Sequence, residues 1–224
     1  MPRPPTKRLL LPALALAFGA LAHGEANAAR VVGQLRMPAA AREAPGDALG
    51  YWRAWNGFLE LRPPAEDPRH TLSVVLVGGS LAEPVGCDVR LAQGGLAPSA
   101  MAVRPGGTLR IENGDGCSHE LTSATIPEFP PLATAPGNAR RVTGVPAGGP
   151  HVIADRLYAH VEGWVHVIDD LAACATLRAD GRYVFEDVPP GEYTLKVLRG
   201  DAEIRSQQAV VPAGGLEVGA IAIP

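Results

Sequence analysis

Short apolar runs alternate with dense turn punctuation along most of this chain. "GG", "PGG", "NGDG", "PAGG", "ADG" and "PPG" recur between them. That rhythm predicts an all-β protein of strands joined by tight turns. "TLSVVLVGG" (71–79) is a run rich in β-branched residues, the pattern of a strand buried on both faces. "SAMAVRPGGTLRIENGDG" (99–116) reads as strand, turn, strand, with Leu109 and Ile111 on one face and Arg110 and Glu112 on the other. "GWVHVID" (163–169) is a further strand. "RYVFEDVPPGEYTLKVLRG" (182–200) is a strand, a Pro-Pro-Gly turn and a strand carrying Tyr193, Leu195 and Val197 on one face. "GGLEVGAIAIP" (214–224) is expected to close the chain with a final strand.

Two stretches break the rhythm. Residues 41–68 hold Tyr51, Trp52, Trp55 and Phe58 between charged residues. They are expected to form a surface excursion with a short helical turn, laying aromatics on a sheet. The sharper alternative is an exposed aromatic patch that stacks on a sugar or a partner. At the other break, residues 1–28 read as a secretory signal: Arg3, Lys7 and Arg8, then the apolar run "LLLPALALAFGALA", then Ala26-Asn27-Ala28. Cleavage after Ala28 would remove a net charge of +2 and leave −5 from the −3 of the full 224 residues. The expected localisation is periplasmic or secreted, with no transmembrane segment once the signal is cleaved. A mildly acidic chain also lacks the electrostatic footprint for nucleic acid.

Candidate chemistry is confined to a few residues. His119 lies in "NGDGCSHELTS", and His151, His160 and His166 lie in or just before "DRLYAHVEGWVHV". Cys87, Cys117 and Cys174 form no Cys-x-x-Cys, and export would permit one disulfide in any of three pairings. In an oxidising compartment Cys117 is expected in a bridge rather than at a metal. No nucleophile elbow, H-E-x-x-H, phosphate loop or dinucleotide fingerprint occurs, and the adjacent carboxylates Asp169-Asp170 and Glu186-Asp187 would point to opposite strand faces. The expectation is a protein that is not an enzyme.

Two stretches carry family resemblances. "LAPSAMAVRPGGTLRIENGDGCSHELTS" followed by "RRVTGVPAGGPHVIADRLYAHVEGWVHVID" resembles a cupredoxin-like domain. It is most similar to the exported bacterial proteins labelled methylamine-utilisation or plastocyanin-like. In that group a strand ends in Asn-x-Asp, with a His about four residues on. A later Cys-x-x-His-x-x-Met loop then runs into Gly-Trp-Val. A type 1 copper site needs a thiolate, two imidazoles and a weak axial thioether. The resemblance places Asp155 at the thiolate, Tyr158 at the second imidazole and Val161 at the thioether, and leaves His119 as the matching ligand. It therefore implies a cupredoxin-like Greek-key sandwich with a degenerate copper site and no cofactor. The alternative is copper or zinc held in another geometry by His119, His160, Asp155 and Tyr158. The resemblance also implies parallel strands after Cys87 and before Cys117. Those cysteines would then lie roughly 20 Å apart, too far to bridge.

The second resemblance is at the C-terminus. "ATLRADGRYVFEDVPPGEYTLKVLRGD" is similar to carboxypeptidase regulatory-like, transthyretin-like modules, which support or bind and do not catalyse. "GQLRMP" and "TLSVVLVGG" resemble the first strands of the same module, which leaves open that it is discontinuous. The expected organisation is a signal at 1–28, N-terminal strands and the aromatic excursion at 29–80, a cupredoxin-like domain at 81–169 and the second β-sandwich at 170–224. The function expected is a non-catalytic binding or scaffold protein of the cell envelope, with an unknown envelope protein or a glycan as partner.

Overall fold

A computed structural model describes residues 28–37, 67–79 and 86–224. Residues 1–27 of the signal-like segment and 41–66 of the aromatic excursion lie outside the described residues. What is described is all-β apart from one helical turn, α1 (Pro68–Thr71), capped by the Asp67 side chain. Among these residues no helix is long and apolar enough to cross a membrane.

Two sandwiches lie side by side, and the first draws strands from both ends of the chain. One of its sheets pairs β1 (Ala29–Arg36) with β14 (Arg182–Val188), which in turn pairs with β13 (Thr176–Leu177). The closing segment is broken into β17 (Leu216–Glu217) and β18 (Ile221–Ala222), each parallel to β1. The single final strand expected from sequence is therefore two short ones. The facing sheet runs β12 (Leu171–Cys174), β2 (Leu72–Gly78), β15 (Gly191–Arg199) and β16 (Ala202–Val211). Between the sheets, Val31, Leu35, Leu72, Val74, Leu76, Tyr183, Phe185, Tyr193, Leu195 and Val197 are all buried.

The turns explain why these strands pair. Gly181 stands at φ +81, a conformation open to glycine, and a Cβ there would run into the Leu35 carbonyl. That carbonyl-side contact is close because Leu35 N–H donates to Gly181 O at 2.8 Å, tying β1 to the hairpin tip. After Pro189-Pro190, Tyr193 returns its hydroxyl to the Pro189 carbonyl at 2.9 Å, which closes the reversal between β14 and β15.

The second sandwich uses only the middle of the chain. One sheet runs β4 (Gly95–Ala97), β3 (Asp88–Ala92), β6 (Leu109–Asn113) and β9 (Ala139–Val142), with β3 and β6 parallel. The other runs β5 (Ala100–Val103), β11 (Glu162–Val167), β10 (His151–Asp155), β7 (His119–Thr122) and β8 (Leu132–Thr134), with β5 and β11 parallel. Leu109 and Ile111 face its core while Arg110 is exposed.

The sandwiches meet back to back along β2 and β5. Leu72, Val74 and Leu76 fill the first core, whereas Val75 turns outward to Ala100 and Ala102. Met101 and Val103 fill the second core. Each strand is thus buried on both faces, and the two alanines let the sheets approach closely. Polar ties cross the seam: the Ser73 hydroxyl bonds the Ala100 carbonyl, and Arg104 Nε donates to Leu171 O at 2.7 Å. His166 bonds the Gly200 carbonyl at 2.8 Å. A disulfide joins Cys87, just before β3, to Cys174 at the end of β12, with α-carbons 5.5 Å apart. Cys117, expected in a bridge, is free and exposed. Its place in the loop after β6 puts it away from both partners.

Candidate functional site

The loop between β6 and β7 is shaped by a buried amide. Asn113, the last residue of β6, donates from Nδ2 to the carbonyls of Cys117 and Thr134, both at 2.8 Å. Its Oδ1 accepts from Asp115 N–H at 3.0 Å. The chain is thereby folded back so that His119 enters β7 with its ring 1% exposed. Gly94 N–H, from the β3–β4 turn, donates to Asp115 Oδ2 at 3.1 Å and fixes that carboxylate in the same region.

The loop between β10 and β11 arrives from the other side. Asp155 N–H donates to Val161 O at 3.0 Å, and Val161 N–H to Tyr158 O at 2.9 Å, so residues 155–161 close into a compact turn. The Asp155 carboxylate is buried. Its Oδ1 accepts from Leu157 N–H at 2.8 Å and Glu120 N–H at 3.3 Å. Its Oδ2 lies 2.6 Å from His119 Nδ1. A carboxylate can only accept here, so Nδ1 carries the proton and donates it.

The opposite ring nitrogen faces outward. His119 Nε2 is 3.3 Å from Asp115 Oδ2 and 3.6 Å from Cys117 Sγ. In the neutral ring Nε2 is an acceptor, and the Cys117 S–H is the donor next to it. In the charged ring an N–H faces the Asp115 carboxylate and the sulfur together. Tyr158 covers this group, with its ring centroid 5.1 Å from that of His119. The neighbouring Cys117 sulfur first, then burial and the Asp155 charge, push the Tyr158 phenol above its usual pKa.

The structure therefore brings together His119, Asp155 and Tyr158 from the sequence-predicted set. His160 is exposed and meets the Tyr158 ring edge-on at 6.2 Å, on the outer side of the cluster. Val161 is buried in the second core. His151 is elsewhere, bonded to Thr125 Oγ1 at 2.9 Å and the Pro146 carbonyl at 3.1 Å. Sequence reading left out Asp115 and Cys117 as companions of His119. Their regular spacing, Asp115-x-Cys117-x-His119, was the available signal.

These residues do not fit a type 1 copper ion. The loop position for a thiolate holds a carboxylate, and the available thiol lies beside the other ring nitrogen. Two atoms bound to one ion at about 2.0–2.1 Å stand roughly 3.3 Å apart in tetrahedral geometry. The 2.6 Å between His119 and Asp155 is a hydrogen bond. The side chains surround one imidazole instead of converging on a point. Among the described residues no group of three or more His, Cys, Asp or Glu could hold a metal ion.

Comparisons with known proteins add little. No family model matches the chain, and no curated protein matches it. A copper-containing nitrite reductase from Thermus scotoductus SA-01 matches among solved structures, at 19% identity and a TM-score of 0.32. The match covers 41% of this chain and 24% of that one, and likeness of this degree carries no functional weight.

Proposed function

We propose that this is an exported, non-catalytic binding or scaffold protein of the cell envelope. Its middle sandwich is a cupredoxin-like domain whose type 1 copper site has been replaced by a hydrogen-bonded His–Asp pair. One observation carries the reading. His119 Nδ1 is engaged at 2.6 Å by the carboxylate that stands at the expected thiolate position. The parallel pairs β3–β6 and β5–β11 agree with the fold the resemblance implies. The basic start, apolar run and Ala-x-Ala of residues 1–28 support export, and the Cys87–Cys174 bridge suits an oxidising compartment. A partner protein or glycan of the envelope is the occupant this reading calls for.

Elemental analysis and a visible spectrum of the purified protein after Cu(II) addition test it. The wild type should show no stoichiometric metal and no intense copper–thiolate band. The triple variant Asp155→Cys/Tyr158→His/Val161→Met restores the expected ligand set and should gain that band. A stoichiometric metal in the wild type, lost in His119→Ala, would replace this reading with a Cu(II) or Zn protein.

A further inference from the structure

Cys117, His119 and Asp155 form a chain of contacts that the binding role does not use. The sulfur is exposed and lies 3.6 Å from His119 Nε2. His119 Nδ1 donates to Asp155 Oδ2 at 2.6 Å, and Asp155 is held by two backbone N–H groups on its other oxygen. A thiol beside an imidazole that a third group orients is the arrangement that activates a sulfur nucleophile. The ring is 1% exposed while the thiol is exposed, so the base is sheltered and the nucleophile is reachable. The Tyr158 ring covers the imidazole, with centroids 5.1 Å apart. The remaining charged neighbour on this side of the ring is Asp115, whose Oδ2 is 3.3 Å from Nε2.

We propose that Cys117 is a reactive thiol that exchanges with small-molecule disulfides, with His119 taking its proton and Asp155 holding the ring. The step balances without an outside oxidant. The Cys117 sulfur attacks one sulfur of R–S–S–R. A Cys117–S–S–R bond forms, the original S–S bond breaks, and R–S⁻ leaves. The leaving thiolate collects the proton that His119 Nε2 accepted. One thiol is consumed and one is released. The Cys87–Cys174 bridge takes no part, because it joins the two sandwiches before the start of β3, whereas Cys117 follows the far end of the parallel strand β6. The modification is stoichiometric, so it extends the non-catalytic reading without turning the protein into an enzyme. Asp155 is a positioning residue, acting on the sulfur only through the ring.

The test uses the full chain, without reductant, and 2,2′-dipyridyl disulfide. Released thiopyridone gives the rate, and intact mass with peptide mapping gives the site. N-acetylcysteine under the same conditions is the reference. An unassisted thiol is only about 0.3% thiolate near pH 6, so assistance shows most clearly there. Cys117 should react at least about tenfold faster than the reference near pH 6, with a rate that rises less steeply toward pH 8. His119→Gln should return the rate and its pH profile to those of the reference. Asp155→Asn, which keeps an acceptor oxygen for Nδ1, should slow it less than His119→Gln does and give a pH profile between those of the wild type and that variant. Near-ultraviolet circular dichroism checks that each variant is folded. A wild-type rate no greater than the reference would overturn the proposal. So would a fast rate that neither variant changes. Metal analysis is a separate readout, so the copper-site reading and this one can fail independently.

Discussion

The two cores are built on opposite principles. Seven polar or charged residues are buried among the described ones, and Ser73 alone belongs to the first sandwich. Even its hydroxyl points out of that core, to Ala100 of the second. Asn113, His119, Thr134, Arg140, His151 and Asp155 all lie in the second. A long antiparallel hairpin such as β15–β16 satisfies its own backbone groups through its ladder, so an apolar interior is enough for the first sandwich. The second has shorter strands and longer loops, and buried loop backbone needs side-chain partners. Arg140 illustrates this. Its guanidinium bonds the carbonyls of Leu121, Pro130 and Leu132 and lies 3.9 Å over the Phe129 ring. The lesson is that polar interior groups follow loops. The reactive cluster at His119 is the place where such a network opens to solvent.

Removing the covalent tie between the sandwiches should have the largest effect. Cys87 and Cys174 are 87 residues apart in sequence. Chain entropy assigns such a loop closure about 4–5 kcal/mol. A Cys87→Ser/Cys174→Ser variant should lose about that much in urea melts. A loss under about 1 kcal/mol would show that seam packing alone holds the sandwiches together.

Asp155→Ala comes next. It leaves the buried His119 Nδ1 and two backbone N–H groups without their acceptor, and should cost about 3 kcal/mol. Asp155→Asn keeps an acceptor oxygen and should cost clearly less. Equal losses in the two variants would mean that the pair's hydrogen bonding contributes little.

The smallest effect should have the opposite sign. Tyr183 O–H is buried with no hydrogen-bond partner in the first core. Tyr183→Phe should therefore stabilise the protein by about 1 kcal/mol. Burial pushes the Tyr183 phenol up to about 12. Its unfolded counterpart ionises near pH 10. The unfolded chain thus loses its proton first. Stability should be unaffected by this group below about pH 10 and should fall from there towards pH 12. Part of that fall should be missing in the Phe variant. Melting temperatures across this range check both points, and a destabilised Phe variant would remove the contrast between the two cores.

Local features were readable from the sequence, and non-local ones were not. Asp180-Gly181 and Pro189-Pro190-Gly191 announce their turns because a few adjacent residues set the backbone there. The alternation at Leu109–Glu112 announces its faces for the same reason. The break in the last strand was missed because β17 and β18 are set by their pairing with β1, at the far end of the chain. The partner of Cys87 stayed open because it depends on how two sandwiches meet. At the candidate site, spacing against "GWV" brought Asp155 to His119. Which ring nitrogen faces which neighbour depends on side-chain orientation, so Cys117 was read as a bridge cysteine.

The order in which the chain emerges follows from this interleaving. β1 and β2 come out first, yet β14, β15 and β17, their neighbours, come out near the end. By then residues 86–167 already have all their own strand partners. This order of pairing would let the central sandwich close before the outer one. A chain halted after Asp170 would present a closed central fold trailing two strands with bare edges, the kind of surface that chaperones capture and that otherwise seeds aggregation.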